Sequence, residues 1–155
     1  NVNQISKKIN KNLIINKILT INNWYKNRFK NKPKIGILGL NPHNAELRKS
    51  SEEIKLIMPA IKFLKKKNVK ITGPLVPDTV FINNYKKYDI IVGMYHDQVL
   101  IPFKTLFGFD GINLTLGLKY LRTSPDHGTA TELIGKNKAT PKSLINCINF
   151  LDKKN

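Results

Sequence analysis

Apolar positions along this chain alternate between two spacings. In "KNLIINKILTINNWYKNRFK" (11–30), Ile14, Ile18, Ile21, Tyr25 and Phe29 recur every three or four residues. That spacing predicts a long amphipathic helix whose Lys/Asn face meets solvent. Pro33 stops it, and Ile35, Ile37 and Leu38 in "KPKIGILGL" (32–40) read as a short buried strand. "NPHNAELRKS" (41–50) is a polar loop. Ser50 and Glu53 have the S-x-x-E spacing of a capping box. The helix they open carries Ile54, Ile57, Met58, Ile61 and Leu64, and it closes on Lys65, Lys66 and Lys67, cations suited to a helix C-terminus.

Further along, "VKITG" (69–73) predicts a strand, and "GPLVPDTVF" (73–81) a Pro-rich turn entering a short helix. "YDIIVGMY" (88–95) predicts a strand and "GINLTLGL" (111–118) another extended run. Thr140 caps and Pro141 begins a last helix, expected to bury Leu144, Ile145, Ile148 and Leu151. Strands alternating with helices predict an α/β fold with a three-layer parallel or mixed sheet and helices on both faces. No repeat and no flexible linker interrupts the pattern.

Composition modifies this picture in two ways. The net charge is +17, which raises nucleic-acid binding as a reading, yet only Arg28, Arg48 and Arg122 among the 27 basic residues are arginine. Nucleic-acid readers favour the planar guanidinium. Lys, Asn and Ile share A/T-rich codons, so drift in composition accounts for the charge without a specific nucleic-acid partner. The lysines are then a solvated surface with some attraction for anionic substrates. Cys147 is the single cysteine, which leaves no disulfide framework and fits a reducing cytoplasm. No apolar run is long enough for a membrane span.

Candidate chemistry gathers where strands end. In open α/β sheets ligands bind beyond the carboxyl ends of the strands. Asn41-Pro42-His43 follows the strand near 35–40, and His96-Asp97-Gln98 follows the strand near 89–95. If these strands run parallel, His43 and His96 emerge on one edge, where two imidazoles could begin a divalent-metal site or simply bond to nearby backbone. A catalytic metal usually takes three protein ligands, and spacing alone supplies no third. Lys104, Asn113 and Arg122 lie near the ends of apolar runs, where Lys and Arg suit a phosphate or carboxylate. "RTSPDHGTA" (122–130) could hold a nucleotide or turn the chain. No G-x-G-x-x-G fingerprint is present.

Together "GLNPH" (39–43), "GPLVPDTVF" (73–81), "MYHDQ" (94–98), "GINLTLGL" (111–118) and "RTSPDHGTA" (122–130) closely resemble, in that order, the carboxyl-terminal half of the 4-hydroxythreonine-4-phosphate dehydrogenase family of pyridoxal phosphate biosynthesis. The resemblance runs from about residue 34 to the end. It implies a truncated version of a two-domain fold similar to isocitrate and isopropylmalate dehydrogenases. Residues 1–111 would form a partial metal- and substrate-binding domain, and 112–155 would belong to a cofactor-binding domain whose first half is absent. The implied reaction is NAD- or NADP-dependent oxidation of 4-hydroxythreonine 4-phosphate, followed by decarboxylation to 3-amino-2-oxopropyl phosphate. The alternative is an inactive or repurposed fragment that only binds or dimerises.

The resemblance also implies roles for residues. His43 and His96 match two of three histidines that hold a divalent metal (zinc, magnesium or cobalt), and the remaining one is expected just ahead of Asn1. Lys104, Asn113 and Arg122 match substrate-contacting residues, and Asp126, His127, Gly128 and Thr129 fall near the cofactor. Asp97 and Asp78 are candidate proton shuttles or structural carboxylates. The implied assembly is a cytoplasmic homodimer with a shared active site, the "MYHDQ" histidine reaching across from the partner subunit. Where the family usually reads "NPHAGE" this chain reads "NPHNAE", with Ala45 in place of Gly, and the family's "GLP" is here "GLK", with Lys119.

Overall fold

A computed structural model describes residues 1–152. It divides into two compact units, Asn1–Pro102 and Phe103–Asn155; residues 153–155 of the expected carboxyl-terminal segment lie outside the described residues.

The first unit opens with a short helix α1 (Ile5–Lys8) and the long helix α2 (Lys11–Phe29). Asn10 caps α2, its side-chain oxygen accepting the Leu13 N–H at 2.9 Å. Lys30 closes it in the left-handed conformation. Strand β1 (Ile35–Leu38) follows, then a loop, then α3 (Met58–Lys66) and strand β2 (Ile71–Leu75). Helix α4 (Pro77–Asn83) leads to strand β3 (Ile90–Val92) and to α5 (His96–Phe107). The sheet order is β2-β1-β3, and both pairings are parallel.

All four residues of β1 are buried. Successive side chains of a strand point to opposite faces, so both faces of this central strand are covered. The core joins Ile14, Ile15 and Ile18 of α2 to Ile35 and Ile37 of β1, with Ile57, Ala60, Ile61 and Leu64 from the third helical segment. Full burial of one such side chain contributes roughly 2 kcal/mol.

The helix expected from Ser50 begins differently. Ser51, not Ser50, lies at its start, with the Ile54 N–H 3.4 Å from the Ser51 hydroxyl. Residues Glu53–Ile57 form a π-type turn that passes into α3. Pro59 has no N–H with which to continue the regular ladder there. Glu53 makes no capping box, because its carboxylate turns inward to the chain leaving β1.

The second unit holds the antiparallel pair β4 (Ile112–Thr115) and β5 (Arg122–Pro125), and the helix α6 (Lys142–Asp152). Here the sequence expectation fails: Leu144, Ile145, Ile148 and Leu151 are each about half exposed. The buried positions of α6 are Ser143 and Cys147. A two-stranded sheet covers one narrow stripe of a helix, and the four-residue step from Ser143 to Cys147 sets that stripe. No described helix is long and apolar enough to cross a membrane.

Candidate functional site at the carboxyl ends of the parallel strands

Because β1 and β3 are parallel neighbours, with Ile35 opposite Ile90 and Ile37 opposite Val92, their carboxyl ends lie side by side. His43 lies five residues past Leu38, and His96 opens α5 four residues past Val92. Both imidazoles are open to solvent, with side-chain exposures of 71% and 77%.

Each imidazole has a carboxylate beside it. His43 Nε2 lies 3.4 Å from Asp78 Oδ2, at the first turn of α4. His96 Nδ1 lies 2.7 Å from Asp97 Oδ1. A carboxylate hydrogen-bonded to one ring nitrogen, as at His96, orients the ring and leaves the other nitrogen for a metal, while the His43–Asp78 contact is a looser one between exposed side chains. This donor set fits part of a divalent-metal site. Among the described residues no group of three His, Cys, Asp or Glu side chains assembles into a full one, so a further donor is required.

The loop that carries His43 has an unusual backbone. Residues 43–47 all have φ between 48° and 56°, a left-handed turn of five non-glycine residues. Such residues each cost roughly 1–2 kcal/mol, so surrounding contacts must hold the turn. The Asn44 side-chain amide donates to the Pro74 carbonyl at 3.0 Å, tying the turn to β2. Asn44 Oδ1 sits so close to Gly39 that a Cβ there would collide with it, which accounts for glycine at the end of β1.

Two buried side chains hold the chain just ahead of His43. Glu53 is fully buried. Its Oε1 accepts the N–H groups of Leu40 and Asn41, each at 2.8 Å, and its Oε2 accepts the Asn41 side-chain amide at 3.1 Å. Burial pushes the Glu53 carboxyl up, but hydrogen bonds from the Asn41 backbone and side chain, its own N–H and Ser51 outweigh that and hold it below the usual glutamate range. Gln98 is the second. Its Nε2 donates to the Gly39 carbonyl at 2.6 Å and its Oε1 accepts the Met94 N–H at 2.7 Å. Sequence reasoning assigns neither residue this part. Glu53 read as a helix cap, and only the last letter of "MYHDQ" hinted at Gln98.

The remaining candidates lie in the second unit. The Lys104 ammonium lies 2.9 Å from Asp126 Oδ2 and also donates to the Asp126 carbonyl. It sits 5.3 Å from the centre of the Phe109 ring. The Asp126 N–H donates to the Ser143 hydroxyl at 3.0 Å, and that hydroxyl donates to the Gly111 carbonyl at 2.7 Å. Arg122 Nη1 donates to Thr115 Oγ1 at 2.9 Å across the β4–β5 pair. Asn113 is exposed on β4, opposite Ser124. His127, Gly128 and Thr129 are exposed, and His127 Nδ1 is 3.0 Å from the Gly128 carbonyl oxygen. Asp126, expected near a cofactor, is thus engaged by Lys104, expected at the substrate.

Comparison with known proteins gives the chain its relatives. A 4-hydroxythreonine-4-phosphate dehydrogenase of Sulfurihydrogenibium sp. (strain YO3AOP1) is 49% identical over 146 residues, covering 93% of this chain and 45% of that protein. A D-threonate 4-phosphate dehydrogenase of Pectobacterium atrosepticum is 45% identical over 114 residues, covering 72% of this chain and 35% of that protein. The crystal structure of 4-hydroxythreonine-4-phosphate dehydrogenase from Klebsiella pneumoniae superposes with a TM-score of 0.82 at 37% identity, covering 97% of this chain and 46% of that one. The chain therefore spans about half the length of the relatives it matches. Its α/β architecture is that of these dehydrogenases, the isocitrate/isopropylmalate dehydrogenase-like fold. The profile of the family described as pyridoxal phosphate biosynthetic protein PdxA matches residues 1–151, and the chain belongs to that family.

Proposed function

We propose that this chain is the carboxyl-terminal half of a 4-hydroxythreonine-4-phosphate dehydrogenase. The reaction is oxidation of the substrate hydroxyl with NAD or NADP, then loss of carbon dioxide from the β-keto acid to give 3-amino-2-oxopropyl phosphate. The observation that carries the reading is the emergence of His43 and His96 from the carboxyl ends of adjacent parallel strands. His43 of one protomer and His96 of the other would hold a divalent cation, with a third histidine supplied by the amino-terminal half. The working assembly is a cytoplasmic homodimer in which His96 serves the site of the partner protomer.

When bound, the cation supplies Lewis-acid polarisation of the substrate oxygens and the nicotinamide takes the hydride. The chain's own residues do the rest. Asp78 and Asp97 orient the imidazoles of His43 and His96 and are placed to hold a proton. Lys104 and Arg122 neutralise phosphate and carboxylate, the guanidinium by its paired donors, and Asn113 adds a neutral hydrogen-bonding group. Asp126, His127, Gly128 and Thr129 form the cofactor side. A Cβ at Gly128 would meet nothing within 4 Å, so that backbone is open to approach.

The test is an assay of the full protein for NAD(P)H formation with 4-hydroxythreonine 4-phosphate and, in parallel, D-threonate 4-phosphate. Turnover of the first that is abolished in His43→Ala and His96→Ala supports the reading. Turnover of D-threonate 4-phosphate alone moves the substrate, and turnover of neither overturns the proposal.

A further inference from the structure

Gln98 is 8% exposed, and both ends of its amide are used on backbone. Gly39, which receives its N–H, directly follows β1. Met94, which donates to its oxygen, lies two residues past β3. One side chain from the first turn of α5 therefore joins the outgoing chain of one strand to the outgoing chain of its neighbour. The pairing of β1 with β3 ends at Ile37 and Val92, and beyond it this amide links the two outgoing chains. A buried side-chain amide satisfied at both ends fixes its partners in one arrangement.

The two histidines lie a short way along the chain on either side of this clamp. His96 precedes Gln98 by two residues on the same helical turn. His43 follows Gly39 by four, and of the residues between, Leu40 and Asn41 are held by Glu53 and Pro42 has its φ fixed by the ring. No part of the path from His43 through Gly39 and Gln98 to His96 is a free loop.

Resting on the reading that both imidazoles are cation ligands, we infer that Gln98 is a positioning residue: its bridge between Gly39 and Met94 locks the His43 loop, which serves the protomer's own site, and the His96 helix, which serves the partner's, in one relation before any cation arrives. Outer residues that orient metal ligands typically change metal affinity about 10- to 100-fold when altered. A purely structural amide would change stability alone.

The experiment is calorimetric Zn²⁺ titration of the full protein as wild type, Gln98→Met and Gln98→Glu, with thermal melting in the absence of metal. Gln98→Met keeps the volume and removes both hydrogen bonds. Gln98→Glu keeps the acceptor for Met94 but sets an oxygen against the Gly39 carbonyl. Ile61→Val serves as a core control that lowers stability without touching the clamp. Zn²⁺ affinity is expected to fall at least about 10-fold in Gln98→Met and to stay unchanged in Ile61→Val. Unchanged affinity in folded Gln98→Met overturns the inference; if that variant does not fold, Gln98→Glu decides by the same criterion. Failure of both to fold makes Gln98 structural and also overturns it. His43→Ala with wild-type Zn²⁺ binding instead refutes the metal reading, a separate outcome.

Discussion

The Lys104 ammonium lies 2.9 Å from the Asp126 carboxylate, with side-chain exposures of 29% and 19%. The pair is too enclosed to count as a surface ion pair, whose worth is near zero. The Ser143 hydroxyl anchors it through the Asp126 N–H. Lys104→Met, Asp126→Asn and the double variant form a cycle that should return a coupling of about 1–2 kcal/mol by urea denaturation. Purely additive losses would show that the two charges do not interact.

Glu53 should give the chain an acid-sensitive term. Its carboxyl is held below its ordinary value of 4.5 in the folded state. The ionised form is therefore favoured by folding, and its contribution is complete above the unfolded value. It is lost as pH falls from there through the folded value. Melting temperature measured from neutral pH downward should drop more steeply in the wild type than in Glu53→Gln. At neutral pH the same variant should be less stable by about 1–3 kcal/mol, because the Asn41 amide loses a charged acceptor. Parallel pH profiles for the two proteins would contradict this.

Ala45 occupies a left-handed position, with φ of 48°, where the resembling family's pattern has glycine. Ala45→Gly removes the Cβ penalty at that position. It should stabilise the chain by about 1 kcal/mol, read as a higher urea midpoint with an unchanged slope. A lower midpoint would place the turn in some other conformation.

Helix α6 and helix α2 should respond oppositely to loss of an isoleucine. Ile18 is fully buried, whereas Ile148 is 57% exposed. Ile18→Ala should cost about 2–5 kcal/mol, and Ile148→Gln should stay within about 0.5 kcal/mol in this chain. A large loss at Ile148 would mean that its face is covered.

Much of the first unit was legible in the residues because its signals are local. Ile14 and Ile18 lie one helical turn apart and are buried together, and the run from Ile35 to Leu38 is a strand covered on both faces. The placement of His43 and His96 on one edge needed only that β1 and β3 be parallel, which alternation with helices predicts. Glu53 was misread because its partners are 12 and 13 residues away, and a local S-x-x-E match cannot register them. The apolar flank of α6 was misread for a different reason. Periodicity says which face of a helix is apolar, but not how wide a neighbour covers it. In a two-stranded sheet the neighbour is narrow, and Ser143 and Cys147 take the buried stripe. The left-handed turn at 43–47 has no sequence signal, since none of its residues is glycine.

The claim on which the functional account rests is that His43 and His96 are ligands to a divalent cation. Anomalous diffraction at the zinc edge, from crystals of the full protein grown with Zn²⁺, measures it directly. The account predicts a peak about 2.0–2.1 Å from ring nitrogens of both a His43 and a His96, contributed by one protomer or by two. A peak bonded to neither imidazole, or to only one of them, would contradict it.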